Sequence, residues 1–306
     1  MQYFNIDKFG SHIKYKSNMY DTICSCISEN MYSCQIFLGS NLTLKRSTCT
    51  DEDIAKTNEL FEKWNINVYS HLPYCINLCG KNGNIAYLED ENSTKYAKDC
   101  VNSIQSEINT LSRLKCSNKG CVIHIGSIGK SSSEIDEEEK VKNGLNAVVQ
   151  SINLLKLNKE TPLCLETMVG RGGVLGKNSS QLKYIIDRVD NSEGLGICLD
   201  TCHLFAEGSY KLNKEEEIDK LFNDYYSTFG LDKIKVIHFN DSKEEFGSKK
   251  DLHSTIGNGY IWDNKNNTKL DKSCRYFIDR CLKDKISLVL ETEPEDYEKV
   301  VKLYNK

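Results

Sequence analysis

The sequence predicts an α/β protein, namely a (β/α)8 TIM barrel whose active site lies at the carboxyl-terminal ends of its strands. Three observations favour this fold: short apolar segments recur along the 306 residues, polar stretches with helical spacing separate them, and the unit repeats eight times. Strands buried on both faces of a parallel sheet are apolar nearly throughout. Eight repeats favour a closed barrel over a doubly wound sheet. No linker interrupts the sequence, so we expect residues 1–306 to form one domain.

The predicted strands are short apolar runs, and several of them end in a histidine or an acidic residue. They occupy residues 5–14, 33–39, 67–74, 120–127, 162–168, 196–203, 236–241 and 287–293.

Helical patterns fill the intervals between these strands. Residues 51–64 open with acidic side chains, which the dipole of a helix favours at its amino terminus. Residues 94–115 carry apolar side chains at helical spacing, and residues 134–157 follow three serines that can cap a helix. The polar segment Asp263–Lys272 is predicted to be an exposed loop. Further helices are predicted at 179–189, 214–229 and 271–283.

Composition restricts the classes of function. A formal net charge of −4 argues against indiscriminate nucleic-acid binding through a basic surface, but it allows a DNA enzyme whose positive charge comes from bound metal. No apolar run approaches the roughly 20 residues that span a bilayer, and the amino terminus lacks the pattern of a signal peptide. We therefore expect a soluble intracellular protein with no membrane partner.

Fourteen cysteines are scattered through the apolar segments. No pair of CxxC motifs has zinc-finger spacing, and no cysteine belongs to a ligand-like cluster. We interpret most of them as reduced thiols that serve as small core residues. Cys24 and Cys26 are close enough in sequence to leave a disulfide bridge between them open.

Histidines and acidic residues gather at one end of the predicted barrel. A carboxylate that ends an apolar strand is costly to bury unless it is paired or bound to a cation. Taken singly, each of these residues could be an ordinary hydrogen-bonded or capping group, but at least seven of the eight strands contribute one. The residues are His12, His71, His124, His203, His238, His253, Glu166, Asp200, Asp251 and Glu291.

The residue types indicate which ions would suit this rim. Histidine and carboxylate together favour zinc or manganese. Five histidines and four acidic residues exceed the needs of one tetrahedral ion, but they match two or three ions if one carboxylate bridges. The sequence therefore predicts a multi-metal site at the carboxyl-terminal rim.

Ordered motifs extend over nearly the whole chain and carry a family resemblance. They are GSH at 10–12, HLPYCINL at 71–78, HIGS at 124–127, ETMVGRGG at 166–173, GICLDTCHLFAEG at 196–208, HFNDSKEEFGSKKDLHSTIGNG at 238–259 and LETEP at 290–294. With these motifs the chain resembles the endonuclease IV family of apurinic/apyrimidinic (AP) endonucleases. The resemblance implies a TIM barrel with three zinc ions that hydrolyses double-stranded DNA 5′ to an abasic site and leaves a 3′ hydroxyl.

The resemblance also implies a ligand set and a mechanism. Glu166 would bridge two ions and orient a metal-bridging hydroxide that attacks the phosphodiester. Manganese is an alternative ion at one position, no other cofactor is implied, and His12 is expected to be a hydrogen-bonding partner outside the ligand set. The three implied groups are His71, His124 and Glu166; Glu166, Asp200, His238 and Glu291; and His203, Asp251 and His253.

The resemblance extends to only some of the residues that would contact DNA. Tyr74 matches the aromatic residue with which the family fills the gap left by an extruded abasic nucleotide. Cys75 and Arg171 depart from the residues usual in the family. Basic side chains in loops are further candidates for phosphate contacts, because such contacts position DNA. These candidates are Lys45, Arg46, Lys249 and Lys250.

Two other functions stay open at the level of the sequence. A metal-dependent sugar isomerase or epimerase on a related barrel would also carry strand-end acids, but the ligands for a third ion argue against it. A non-catalytic binder of damaged DNA would be expected to have lost at least one ligand. The resemblance itself allows 3′-phosphodiesterase or 3′→5′ exonuclease activity, and it implies a monomer.

Overall fold

Eight parallel strands close into a barrel in the computed structural model, which describes residues 8–80, 91–129, 136–262 and 269–306. The strands are β1 (Phe9–His12), β2 (Ser33–Ile36), β3 (Asn67–His71), β4 (Lys119–Ile123), β5 (Leu163–Glu166), β6 (Leu195–Asp200), β7 (Ile234–His238), β8 (Asp241–Ser242), β9 (His253–Ser254) and β10 (Ser287–Leu290). The barrel follows chain order from β1 to β7, and β10 closes it between β7 and β1. Strands β8 and β9 form a separate antiparallel pair. The predicted (β/α)8 barrel is confirmed.

Helices connect the strands. They are α1 (Met19–Ser28), α2 (Asp51–Phe61), α3 (Glu91–Ser112), α4 (Glu137–Asn153), α5 (Ser179–Ile186), α6 (Thr201–Glu207), α7 (Glu215–Phe229), α8 (Lys272–Lys283) and α9 (Pro294–Tyr304). All six helices predicted from the sequence are present, with ends that differ by a few residues. Residues 263–268 of the predicted loop Asp263–Lys272 lie outside the described residues, and Asp271 caps α8.

Three helices, α1, α6 and α9, were not predicted. Each has a local signal at its amino terminus. The side chain of Asn18 accepts a hydrogen bond from the Asp21 amide at the start of α1, and Asp200 accepts one from the His203 amide at the start of α6. Pro294 occupies the first turn of α9, where its missing N–H costs nothing. These caps follow directly on apolar strands or loops, so the apolar pattern alone did not reveal the helices.

The inside of the barrel is filled by one aromatic ring and small side chains. Tyr69 on β3 is buried, and its hydroxyl donates to the Lys235 carbonyl at 2.9 Å. The thiols of Cys164 and Cys198 pack in the same interior cluster with three valines. A thiol is small and apolar, and two of them leave room for the phenol ring. The barrel is therefore a packed core, which restricts a site to its rim.

The cysteines are structural in the described chain. No disulfide joins Cys24 to Cys26 or any other pair, and every cysteine except Cys24 and Cys75 is buried.

Among the described residues, no helix has both the length and the hydropathy that are required to cross a bilayer.

Candidate metal centre

The strand ends deliver the candidate ligands to one rim. His71, Glu166 and His238 are the last residues of β3, β5 and β7, and Asp200 is the last residue of β6. Because the carboxyl-terminal ends of parallel barrel strands meet on one face, these four side chains converge. The other five lie close beyond a strand end or on the segments that follow. They are His124 after β4, Glu291 after β10, His203 on α6, Asp251 in the loop before β9, and His253 on β9.

The nine side chains form three groups of potential ligands. Within each group the ligand atoms all lie within 4.8 Å of one another. The groups are His71, His124 and Glu166; Glu166, Asp200, His238 and Glu291; and His203, Asp251 and His253. These are the sets that the family resemblance implies, so the structure brings together every residue predicted to bind metal.

Glu166 occupies the centre of the arrangement. Its Oε2 lies 3.1 Å from His124 Nε2 and 3.3 Å from His71 Nε2. Its Oε1 lies 3.1 Å from His238 Nδ1 and 3.4 Å from His203 Nδ1. The carboxylate is buried, and each of its oxygens faces a different set of imidazoles. This geometry suits a bridging carboxylate.

The third group contains nitrogen atoms that the protein does not satisfy. His203 Nε2 and His253 Nε2 each lie 3.1 Å from an oxygen of Asp251. Both nitrogens are buried, yet neither has a hydrogen-bond partner of acceptable geometry among the described residues. Buried polar atoms in native proteins are nearly always satisfied. Atoms that lie close together without pointing at one another are arranged as the ligands of a common cation are, and imidazole with carboxylate is a donor set that zinc favours. The residues therefore fit metal ions.

Backbone carbonyls fix two of the imidazole rings. His71 Nδ1 lies 2.7 Å from the Leu72 carbonyl, and His203 Nδ1 lies 2.7 Å from the Thr167 carbonyl. In each pair the Nδ1–H donates to the carbonyl, which leaves the lone pair of Nε2 directed at the cluster. Metal-binding histidines commonly have their other nitrogen held in this way.

The charged groups shift one another's pKa values. Burial acts to raise the pKa of Glu166, but His124 and His238 together hold it well below its usual range. The pKa of Glu291 falls to about 2, where burial is outweighed chiefly by His238. For His253, burial acts to lower the pKa, but Asp200 and Asp251 raise it to about 8. Glu166 and Glu291 are therefore ionised at neutral pH.

Two amide side chains at this rim were missed by the sequence analysis. Asn240 donates from Nδ2 to Asp200 Oδ2 at 2.8 Å and to Glu291 Oε2 at 3.1 Å. Gln35 on β2 contacts His12, His238 and Glu291. The contact to His12 agrees with the expectation that this histidine is a hydrogen-bonding partner outside the ligand groups. A buried amide near a strand end needs partners, and that was the available signal.

Cys202 corrects the expectation that no cysteine belongs to a ligand-like cluster. Its Sγ lies within 4.8 Å of ligand atoms of Asp200 and His253. Burial raises the pKa of the Cys202 thiol well above its ordinary value, and the thiol donates to the Leu252 carbonyl at 3.8 Å. Because metals bind the thiolate form, the structure supports a hydrogen-bond donor here more than a ligand.

The candidates for DNA contact lie around this rim. The Tyr74 side chain is half-exposed, and its ring packs 5.2 Å from the His71 ring and 5.6 Å from the Phe37 ring. Cys75 beside it is partly buried, and Arg171 is exposed on the loop after β5.

Two neighbouring lysines are engaged with acidic residues. Lys249 Nζ lies 2.6 Å from Glu207 Oε1, and Lys250 Nζ lies 3.1 Å from Glu244 Oε1. The two lysine side chains are about half exposed, at 46% and 51%, and ion pairs of exposed lysines contribute about 0.2–1 kcal/mol. The pairs therefore do not prevent the lysines from meeting a phosphate.

The structure contradicts the prediction that Arg46 contacts phosphate, because its side chain does not face solvent. It is buried, and its Nη1 lies 3.0 Å from Glu107 Oε1 on α3. Its Nη2 donates to the carbonyls of Ser40 and Thr43, so the guanidinium holds the loop after β2 in place. The neighbouring residue Lys45 is exposed.

Comparisons with known proteins agree with this architecture. Residues 30–268 match a family described as xylose isomerase-like TIM barrel. Proteins named probable endonuclease 4 from Staphylococcus aureus strains JH9 and Newman are 33% identical over 229 residues, which cover 74% of this chain and 69% of theirs.

Solved structures show the same fold. Endonuclease IV from Thermus thermophilus superposes with a TM-score of 0.74 at 20% identity and covers 97% of both chains. A D-tagatose 3-epimerase-like protein has a TM-score of 0.60 at 20% identity and covers 96% of this chain and 93% of its own. At this level of identity the structural likenesses establish the fold alone.

The barrel and its rim thus define a protein of the xylose isomerase-like TIM-barrel class. Within that class, the chain belongs to the endonuclease IV family. It is a hydrolase of the AP endonuclease type.

Proposed function

We propose that this chain hydrolyses the phosphodiester 5′ to an abasic site in double-stranded DNA and leaves a 3′ hydroxyl. The proposal includes three zinc ions, one in each ligand group, and a monomeric chain whose residues 1–306 act as one domain. The observation that carries it is the position of Glu166, whose two oxygens face separate sets of imidazoles. A site for a single ion would not need a carboxylate shared in this way.

The residues of each group would hold one ion. His71, His124 and Glu166 would hold the first ion. Glu166 would also hold the second ion, together with Asp200, His238 and Glu291. Bound zinc would supply a nucleophile at neutral pH and neutralise the charge on the phosphate and on the departing 3′ oxygen. His203, Asp251 and His253 would hold the third ion. Manganese is the alternative at one of the three positions.

Glu166 is the residue that we propose as catalytic. Its pKa lies well below the usual range, so it is ionised at the pH of the reaction. It is buried and contacted from both sides, and it therefore needs no reorganisation when the substrate arrives. Electrostatic groups that are already in place cost no reorganisation at the moment of reaction.

The rim above the cluster would select the damaged site. An abasic nucleotide stacks poorly, so its extrusion from the helix costs less than that of an intact nucleotide. Tyr74 would enter the resulting gap with its exposed edge, supported by Phe37 and His71. The amide of Tyr74 donates to the Asn41 carbonyl at 2.9 Å, which places Leu42 on the adjoining loop. The Leu42 side chain is 71% exposed and would be a second wedge.

Charge is compatible with an anionic substrate. Three divalent ions would change the formal net charge from −4 to +2. Arg171, Lys249 and Lys250 would contact phosphates, with Cys75 lining the path next to Tyr74. Contacts of this kind release counterions, so incision should weaken as the salt concentration rises.

The proposal is tested with purified protein whose metal content per chain has been measured by elemental analysis. The substrate is a labelled duplex with one tetrahydrofuran abasic analogue, and the control is the intact duplex. We expect about three zinc ions per chain and one incision 5′ to the analogue, with a 3′ end that a DNA polymerase extends. A zinc-loaded protein that leaves the duplex uncut contradicts the proposal. Substrates with a 3′-phosphoglycolate or an unpaired 3′ end test phosphodiesterase and exonuclease activity in the same preparation.

A further inference from the structure

The neutral amide of Gln35 lies between two of the candidate ligands of the second group. Gln35 is the third residue of the four-residue strand β2 and is fully buried. Its Nε2 donates to Glu291 Oε1 at 2.8 Å, and its Oε1 lies 2.8 Å from His238 Nε2. One side chain on β2 therefore contacts Glu291 just after β10, across the intervening strand β1, and His238 at the end of β7, across both β1 and β10.

The contact between Gln35 and His238 determines which nitrogen of the His238 ring carries the proton. The oxygen of an amide can only accept, so His238 Nε2 carries the proton that Gln35 Oε1 receives. That leaves Nδ1 to face Glu166 Oε1 at 3.1 Å and Glu291 Oε2 at 3.2 Å. His71 and His203 show the opposite arrangement, because their Nδ1 atoms face backbone carbonyls and their Nε2 atoms face the cluster. His238 is thus held by a side chain where those two rings are held by the backbone.

The contact to Glu291 fixes the carboxylate at the same time. Gln35 occupies Oε1, and Oε2 is left to face His238 and Asn240. The second N–H of the Gln35 amide is directed at His12 Nδ1, 3.2 Å away. Burial lowers the pKa of His12 to about 4, so this ring is neutral and can accept.

Only one orientation of the amide satisfies these neighbours. If the amide were turned by half a rotation, its oxygen would meet the carboxylate of Glu291, and this contact would be repulsive because both groups can only accept. A glutamate at this position would keep the acceptor for His238 but would place a second charge against Glu291. The chemistry of the three neighbours therefore requires an amide.

We propose that Gln35 is a positioning residue of the metal centre, which fixes the tautomer of His238 and the orientation of Glu291 in the second ligand group. This inference rests on the proposed function, since it assumes that the group binds an ion. Residues that orient metal ligands typically contribute 10–100-fold to metal affinity or activity.

Two variants and one control test this role. Gln35→Met has a similar length and no hydrogen-bonding atoms, and Gln35→Glu keeps only the acceptor. The control is Gln181→Met, because Gln181 is also buried and accepts hydrogen bonds from the amides of Gly176 and Lys177. It contacts none of the candidate ligands through these bonds. It therefore reports the cost of removing a buried glutamine elsewhere on the barrel.

The measurements are the rate of zinc loss to a chelator and the 15N spectrum of the histidine rings in the zinc-loaded protein. We expect Gln35→Met to lose one ion about 10–100-fold faster and to lose the protected Nε2–H signal of His238. Gln35→Glu should also lose that ion faster but retain the Nε2–H signal. Gln181→Met should match the wild type in both measurements.

The outcomes separate the two proposals. A folded Gln35→Met variant with normal zinc retention and an unchanged Nε2–H signal overturns the role of Gln35. If Gln35→Met fails to fold, Gln35→Glu decides, and wild-type zinc retention in that variant overturns the role as well. A wild-type protein that binds no zinc contradicts the proposed function. The His238 signal, compared between wild type and Gln35→Met at high pH, then still tests the tautomer assignment.

Discussion

Two clusters of buried charge differ in how the chain neutralises them. Arg46 and Glu107 form one ion pair, with side chains that are 2% and 0% exposed, and the guanidinium also uses loop carbonyls. At the rim, four carboxylates meet five imidazoles, and their ligand atoms form groups within 4.8 Å of one another. Glu107 Oε2, His203 Nε2 and His253 Nε2 are all buried without a hydrogen-bond partner among the described residues, so an unsatisfied atom alone does not separate the two clusters. The ion pair joins one positive group to one negative group, which serves structure. The rim instead brings several imidazoles and carboxylates together, which is the donor set of a bound cation.

The largest expected effect comes from the centre of the rim cluster. In Glu166→Gln, the loss of the shared charge should lower the single-turnover incision rate on the order of 10³-fold, since an amide cannot bridge two cations as a carboxylate does. The variant should still fold, as its circular dichroism spectrum would show, because the packing of the barrel does not depend on this one charge. Glu52→Gln, a surface carboxylate on α2, is the matched control. A variant with near-normal incision would reject the role of Glu166.

The Arg46–Glu107 pair should behave in the opposite way. Arg46→Met leaves a buried carboxylate without its partner, which we expect to lower the free energy of unfolding by about 3–5 kcal/mol in a denaturant titration. The zinc content of the folded fraction should stay at the wild-type level. The double variant Arg46→Met/Glu107→Leu should recover much of the lost stability. If the double variant were as unstable as the single one, the ion pair would not be the cause.

The dependence of stability on pH should also differ between the two clusters. Protons and metal ions compete for the imidazoles of the rim, whereas no metal ion competes for the Arg46–Glu107 pair. The pKa of His253 is raised to about 8, so its contribution to the stability of the metal-free fold is complete below its ordinary value of 6.5. That contribution, about 2 kcal/mol, is lost as the pH rises through 8. Zinc needs the neutral ring, so its affinity should rise over the same interval. Thermal melts with and without zinc at pH 6 and pH 9 measure this, and an equal effect of zinc at both would contradict it.

The smallest expected effect lies just outside the rim cluster. Tyr74→Ala should weaken binding of the abasic duplex about tenfold, towards the lower end of the roughly 1–3 kcal/mol for a stacked base, because His71 and Phe37 already cover part of the ring. Zinc content should not change. Trp64→Ala is the control, since its side chain is 47% exposed, against 49% for Tyr74, on the segment that leads into β3. Equal losses in the two variants would remove Tyr74 from the DNA interface.

Local patterns in the sequence predicted the barrel and placed its histidines and acidic residues at one rim, whereas the set of nine candidate ligands was implied by the family resemblance. An apolar strand and the polar residue at its end lie within a few positions of each other, and barrel closure then brings those ends together. The role of Gln35 could not be predicted, because its partners His238 and Glu291 are 203 and 256 residues away. The burial of Arg46 depends likewise on Glu107, 61 residues further along the chain. Pairings of this kind are set by packing in three dimensions and leave no periodic trace.

Asp200 connects two ligand groups mechanically. Its Oδ1 receives the amide of His203 and so begins α6, while its Oδ2 belongs to the second group and receives the Asn240 amide. His203, three residues along, belongs to the third group. A displacement of this one carboxylate therefore shifts the start of a short helix and, with it, a neighbouring imidazole. The second and third ligand groups therefore cannot rearrange independently, because a movement of Asp200 is transmitted to His203 through the main chain.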